Sequence, residues 1–420
     1  MTIHFHSLSN GLRVAVEEMP EIRTASIGVW VNVGARYEKR EENGIAHFLE
    51  HLAFKGTKTR NALEIAEKIE DIGGYINAYT GREVTNYSAK VLSEHVNIGL
   101  DVLSDIILNS TFLDTEIEVE REVIIQEIGM YLDTPDDVVF DWLQDVCYPD
   151  QPIGRSILGN PENVKRFGQK DFFNFLRKHY APKEMIVCVA GGVRHTEVFR
   201  IIEEKFGFLD TMDAPKPIKA EFGGGEYRKE KDLEQAHFAF ALEAPKLTDP
   251  KLYDARVFTS ILGGGMSSRL FQQLREKRGL CYSIFSFIET LSDTGSIMIY
   301  SGTGRDQVGE LSNVVAEELK KLTLNVMDNE VKRAKAQMKA GMLMALENPF
   351  SRCERMARSL TIWGRIIDLE EIIEKIEEVN VQKVKDFGLA LLNNKKAGLS
   401  LYGPITKAPE LSHLLSVLNK

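Results

Sequence analysis

The stretch NGIAHFLEHLAFKGT, residues 43–57, carries two histidines and a glutamate within one short apolar segment. A helix through it puts His47 and His51 at i and i+4 and Glu50 at i+3, so all three project from one face, one turn apart. Two imidazoles at that spacing can each give one nitrogen to a Zn²⁺ ion, and the glutamate can reach a water at that metal without being a ligand itself. This is the inverted zinc-protease spacing HxxEH. The bland reading is a pair of satisfied core histidines beside a solvated glutamate, so the metal reading needs a third ligand.

EVEREVIIQEIGM supplies the best candidate. Glu120 and Glu127 are seven residues apart and return to nearly the same helix face after two turns. Glu127 is close in sequence to Val123, Ile124, Ile125 and Ile128, a setting in which a carboxylate is unfavourable unless a cation compensates it. Glu127 is therefore expected as the third ligand, with Glu120 orienting a histidine from behind. Glu116, Glu118 and Glu122 fit a solvated helix face. The four cysteines, Cys147, Cys188, Cys281 and Cys353, are scattered without a CxxC pair, so a metal here must be held by histidine and carboxylate.

The elements that must position these groups recur twice along the chain. LRVAVEEM and ASIGVWVNVGA read as strands, the 43–57 motif as a helix, NALEIAEKIEDIGG as a second helix, YINAYTGREVTNYSAKVL as a hairpin and HVNIGLDVLSDIIL as a third helix. After the Pro- and Gly-rich passage APKPIKAEFGGGEYR the order repeats, from strand EQAHFAFALEAP through helices LYDARVFTSILGGG and SRLFQQLREKRG to hairpin CYSIFSFIETLSDTGSIMIYSGT and helix VGELSNVVAEELKKL. A duplicated fold follows, with domains at 1–212 and 229–420 joined by a linker at 213–228. LYDARVFTSILGG fills the slot of the histidine motif and has neither His nor Glu, so only the first half is expected to hold metal. The run Gly263, Gly264 and Gly265 lacks the GxxxxGK[ST] pattern and reads as a helix stop.

The 420 residues carry 52 basic against 62 acidic side chains, a net charge of -10, which disfavours nucleic acid and anionic membrane surfaces as partners. No apolar run approaches the roughly 18 residues of a spanning helix, and MTIHFHSLSNGLRV lacks the basic start and apolar stretch of a secretion signal; a cytoplasmic protein without a membrane span is expected.

HFLEHLAFKGT, EREVIIQE and GGGMSSRLFQQLREKRGLCYS, in this order and separation, resemble the pitrilysin or insulinase family of zinc peptidases, most closely the processing-peptidase β subunits and their bacterial relatives. The resemblance implies an α+β fold of two similar tandem domains, each a mixed sheet packed with helices. It implies one Zn²⁺ per chain on His47, His51 and Glu127, Glu50 as the general base toward a water at the metal, and Glu120 as the acidic group seven residues before the third ligand. Arg275 and Tyr282 match an Arg and a Tyr that related enzymes bring from the second domain onto the substrate; without the resemblance they read as a surface arginine beside Glu276 and a core aromatic. GGYINAYTG resembles an edge strand onto which an extended peptide adds, with Asn77, Ala78 and Tyr79 offering backbone groups. Phe54 matches a position lining an apolar pocket after the scissile bond, and Asp137 and Asp141 match acidic positions that receive an arginine before it. The competing readings are a core Phe and a solvated helix start.

The expectation is a zinc-dependent endopeptidase for extended or unfolded peptides, presequence-like with arginine near the cut, working as a homodimer or beside a metal-free homologue. Its rivals are a catalytic subunit active only with that separate partner chain and a non-catalytic core subunit of the same fold.

Overall fold

The computed structural model describes residues 2–419, with side chains through Leu418. Six strands form the first sheet: β1 Thr2–Ser7, β2 Arg13–Glu18, β3 Thr24–Val31, β4 Tyr75–Thr80, β5 Thr85–Leu92 and β6 Met185–Gly191, in the order β1-β2-β6-β3-β5-β4. All neighbours are antiparallel except β2 and β6, which run parallel, so the sheet is mixed. The central strands β3 and β6 are buried at nearly every position because helices cover both faces, which is why they read as continuous apolar runs rather than as alternation. β1 and β4 are the two edges, and β4 alternates between exposed and half-buried residues.

The second sheet repeats this plan with β7 Gly225–Glu230, β8 Ala236–Glu243, β9 Cys281–Thr290, β10 Gly295–Thr303 and β11 Ala397–Gly403, ordered β7-β11-β8-β10-β9. Again one pair, β7 and β11, is parallel and the rest antiparallel. The β8-β10-β9 hairpin order answers β3-β5-β4, so the duplication read from motif order holds in strand topology; only β1 lacks a counterpart.

Helices α1 Ile45–Ala53, α2 Ala62–Glu70 and α3 Val96–Leu108 bury Phe48, Leu49, Ile65, Leu100 and Leu103 with Ile27, Val29 and Val31 of the first sheet. The long α4 Asp114–Leu132 adds Ile117, Ile124 and Ile128 to this core. The opposite face, with Ala15, Trp30, Ile186 and Cys188, is covered by helix Pro349–Trp363 through Cys353, Met356 and Leu360. Arg13 Nη1 donates to the Leu360 carbonyl at 2.7 Å, and Arg352 pairs with Glu17. On the second sheet the corresponding cover is α5 Pro135–Cys147, whose Val139, Leu143 and Cys147 meet Ala239, Ala241, Met298 and Tyr402.

The compact units are therefore discontinuous: one comprises 1–129, 155–218 and 343–367, the other 130–154, 219–342 and 368–420. This differs from the contiguous boundaries 1–212 and 229–420 because α5 and helix Pro349–Trp363 each bury their apolar face on the sheet of the other sequence half. Sequence order places a helix in a half, but burial decides which core it joins.

Candidate metal centre

The helix bearing the histidines is anchored at its start. α1 has no side-chain cap of its own, and its N-cap Gly44 sits at φ 100°, a left-handed value open to glycine. A Cβ there would also meet the Gly159 backbone at 2.9 Å, so the crossing of the two loops demands glycine twice over. The cap comes from Glu38 instead: its Oε2 accepts from Gly44 N and Asn43 Nδ2, and its Oε1 from Ala46 N, each at 2.9 Å. Burial pushes the Glu38 carboxyl up, to about 8, against the pull of the Ala46, Asn43 and Gly44 donors. The three N–H donors and the positive end of the α1 dipole favour the ionised form and so limit that rise.

One turn further on, His47 and His51 stand side by side with ring centroids 4.7 Å apart. Glu127 of α4 reaches both: its Oε2 lies 3.7 Å from His47 Nε2 and 3.6 Å from His51 Nε2. These three donor atoms fall within 4.8 Å of one another. A tetrahedral zinc with bonds of 2.0–2.2 Å sets its ligand atoms about 3.4 Å apart, so the group is close to that geometry. Glu127 Oε2 is buried and has no hydrogen-bond partner, an arrangement that a bound cation would satisfy. Two imidazoles and a carboxylate with room for a fourth ligand are a donor set suited to Zn²⁺.

The carboxylate of Glu120 backs His51. Its Oε2 is 3.0 Å from His51 Nδ1 and its Oε1 is 2.5 Å from Lys55 Nζ, with the Glu120 side chain only 4% exposed. With the Nδ1 proton given to Glu120, His51 presents Nε2 to the cation. Burial, and after it the neighbouring His51, pushes His47 down to about 3, so it stays the neutral imidazole a metal requires. Glu50 points to the same place from the helix, and its Oε2 accepts from the Thr80 hydroxyl at 2.6 Å. Burial raises the Glu50 carboxyl and Glu127 raises it further, while Thr80 and His51 oppose.

Glu127 is not enclosed by the apolar residues near it in sequence: its side chain is 41% exposed and Val123 is 43% exposed, whereas Ile124 and Ile128 turn into the core. Only one of its oxygens is buried.

Thr80 is the last residue of the edge strand β4, so that strand ends against Glu50 of the candidate centre. On β4, the Ala78 N–H donates to the Asn77 Oδ1 at 2.9 Å, and Trp30 Nε1 donates to the Tyr79 hydroxyl at 3.3 Å. Phe54, at the end of α1, is half-buried against the first core. In the second unit the Arg275 guanidinium lies 4.7 Å from the Tyr282 ring centroid and 4.8 Å from that of Phe271. Tyr282 is 76% exposed, so it is no core aromatic. Arg275 stands on a single wide helical turn, Phe271–Glu276, where a regular helix is expected from SRLFQQLREKRG; Lys277 N bonds back to Gln272 O. Asp137 lies in the first turn of α5, also in the second unit; burial raises it, and Asp136 and Asp141 add to the effect.

Sequence reading missed Glu38, Thr80 and Lys55. Lys55 lies four residues after His51, a spacing that could have found it; Glu38 and Thr80 reach the motif only through loop and sheet packing.

The description "Insulinase (Peptidase family M16)" matches residues 13–161, across the whole histidine–glutamate group, and "Peptidase M16 inactive domain" matches residues 166–338. The chain is 37% identical over 406 residues to "Uncharacterized zinc protease YmxG" of Bacillus subtilis, covering 96% of this chain and 99% of that one. It is also 37% identical over 421 residues to "Probable mitochondrial-processing peptidase subunit beta, mitochondrial" of Arabidopsis thaliana, covering 96% and 79%. A protease from Helicobacter pylori has the same fold, with a TM-score of 0.89 at 23% identity over 96% of this chain and 99% of that one. The chain belongs to the insulinase, or pitrilysin, family M16, and is a zinc metallopeptidase of that family.

Proposed function

We propose that the chain is an endopeptidase for extended peptide segments, with zinc held by His47, His51 and Glu127. The observation that carries the reading is the 2.6 Å hydrogen bond from Thr80 to Glu50, which joins the unpaired edge of β4 to the half-buried carboxylate of the motif. A peptide added along β4 would have its backbone delivered to that carboxylate. The Asn77 side chain, which now accepts from the Ala78 N–H, would swing away to release that donor.

When bound, zinc supplies a Lewis acid that polarises the peptide carbonyl and brings the acidity of water to near neutrality. Glu50 takes a proton from the attacking water and returns it to the leaving amine. Its raised affinity for protons, from burial and from Glu127, suits that double duty. Thr80 holds one carboxylate oxygen so that the other faces the scissile bond. Glu120 fixes the ring of His51. Phe54 is assigned to an apolar pocket beyond the bond. Arg275 and Tyr282 are assigned to the substrate carbonyl as donors, a role supported by their mutual packing and the exposure of the tyrosine. Asp137 and Asp141, four residues apart on α5, are assigned to an arginine before the cut, supported by their like-charge interaction.

No helix among the described residues is long and apolar enough to cross a membrane. A cytoplasmic location is part of the reading, supported by four buried free thiols. The similarity to a processing-peptidase β subunit supports a two-chain assembly, either a homodimer or a pair with a metal-free homologue. Zinc content and cleavage of a basic, unstructured peptide by the purified chain test all of this. Glu50→Gln should keep the zinc and abolish cleavage, whereas His51→Ala and Glu127→Gln should weaken zinc binding itself. Zinc without cleavage by the wild type points to a missing partner chain; full activity and equal metal in all three variants refutes the mechanism.

A further inference from the structure

We propose that the first unit holds a second site for a borderline divalent cation, built by His4, Glu18 and His195. These residues come from three elements: His4 from β1, Glu18 from the end of β2, and His195 from the first turn of helix His195–Phe206. Thr2 pairs with Glu18 and His4 with Val16, so His4 and Glu18 are diagonal neighbours on one sheet face. The His195 Nδ1 lies 2.7 Å from Glu18 Oε1, and His4 Nε2 lies 4.0 Å from Glu18 Oε2. One donor atom from each residue falls within 4.8 Å of the others. The separations bracket the roughly 3.4 Å edge of a tetrahedral zinc site.

Two features distinguish this cluster from a chance surface group. The side chains are 28%, 31% and 29% exposed, so they are held in place yet open to solvent. The rings of His4 and His195 stack face to face, 3.6 Å apart at 4°. Stacked rings keep their lone pairs in two parallel planes, so loading turns one imidazole about χ2 to bring both onto the cation. His195 is tied to Glu18 through both Nδ1 and its backbone N–H, so the ring that turns is His4, on the sheet edge. The cation replaces the proton shared by His195 and Glu18, and solvent supplies the fourth ligand. Two imidazoles and one carboxylate select Zn²⁺, Co²⁺ or Ni²⁺ over Mg²⁺ and Ca²⁺, which prefer oxygen.

The site is separate from the proposed catalytic centre. β1 and β4 are opposite edges of the six-stranded sheet, five strand spacings or about 24 Å apart. A cation there would pin the edge strand β1 to the start of helix His195–Phe206, stabilising the fold by mass action.

Equilibrium dialysis of the untagged full chain against micromolar Zn²⁺ tests the proposal. The wild type should approach two zinc per chain, and His195→Ala and His4→Gln should each bind one while still cleaving peptide. His4→Gln leaves the Glu18–His195 pair intact, so it remains informative where loss of that pair harms folding. One zinc per chain in the wild type, or a second equivalent that survives both substitutions, overturns the proposal. A chain losing only its first equivalent on His51→Ala leaves this site standing, so the two readings fail separately.

Discussion

Replacing Glu38 by alanine is the sharpest test of how the metal helix is held. The substitution removes the acceptor of three 2.9 Å hydrogen bonds, from Asn43 Nδ2, Gly44 N and Ala46 N, in a buried setting. A buried donor left without a partner costs about 1–3 kcal/mol. The low end applies, because alanine also removes a carboxyl whose burial is itself unfavourable, as its upward shift to about 8 shows. Gly44 N and Ala46 N are left without partners, whereas Asn43 Nδ2 keeps its bond to the Ser156 carbonyl; two donors at about 1 kcal/mol each give a loss near 2 kcal/mol, a large share of the roughly 5–15 kcal/mol that holds a domain folded. Glu38→Gln keeps one oxygen and should fall between alanine and wild type. Because the same bonds set the axis of the helix carrying His47, Glu50 and His51, a displacement of about 1 Å should lower kcat about 100-fold. The assays are urea unfolding of the metal-free chain and cleavage kinetics of the zinc-loaded one. An alanine variant within 0.5 kcal/mol of wild type, with unchanged zinc affinity and kcat, would refute the account of the cap.

Glu120→Gln should weaken zinc binding about 10–100-fold, since it takes charge from the group behind His51, and competition with a chelator measures it. Thr80→Val should lower kcat with little change in KM, because it removes the hydroxyl that donates to Glu50 and leaves the Thr80 backbone donor and the β4 strand in place; an unaltered kcat counts against the Thr80 role. The buried, neutral His47, held near a pKa of 3 and below its unfolded value of 6.5, makes the unfolded chain the better proton acceptor. Stability of the metal-free chain from this group is therefore complete above pH 6.5 and declines toward pH 3, by about 1.4 kcal/mol per unit. His47→Gln should flatten that part of the denaturation profile, and parallel profiles would reject the shift.

Much of the centre can be read from spacing alone. His47, Glu50 and His51 share a face because the helical period is 3.6 residues, and the return of Glu120 and Glu127 after two turns follows from the same number. The repeated order of strands and hairpins announces a duplicated fold, because each half must build one sheet with its own apolar face. These are local facts, decided by residues a few positions apart.

The tertiary structure decides what those residues meet. Glu38, Thr80 and Lys55 carry no motif, and the distances that give them a role are set by a loop crossing at Gly44 and Gly159, by the end of an edge strand, and by α4 lying over α1. His4, Glu18 and His195 are nearly 200 positions apart at the extremes, and only sheet register and the start of a helix bring them together. The exchange of α5 and helix Pro349–Trp363 between cores is likewise absent from motif order. Periodicity states which face of an element is apolar; which surface buries that face is settled by the packing of the whole chain.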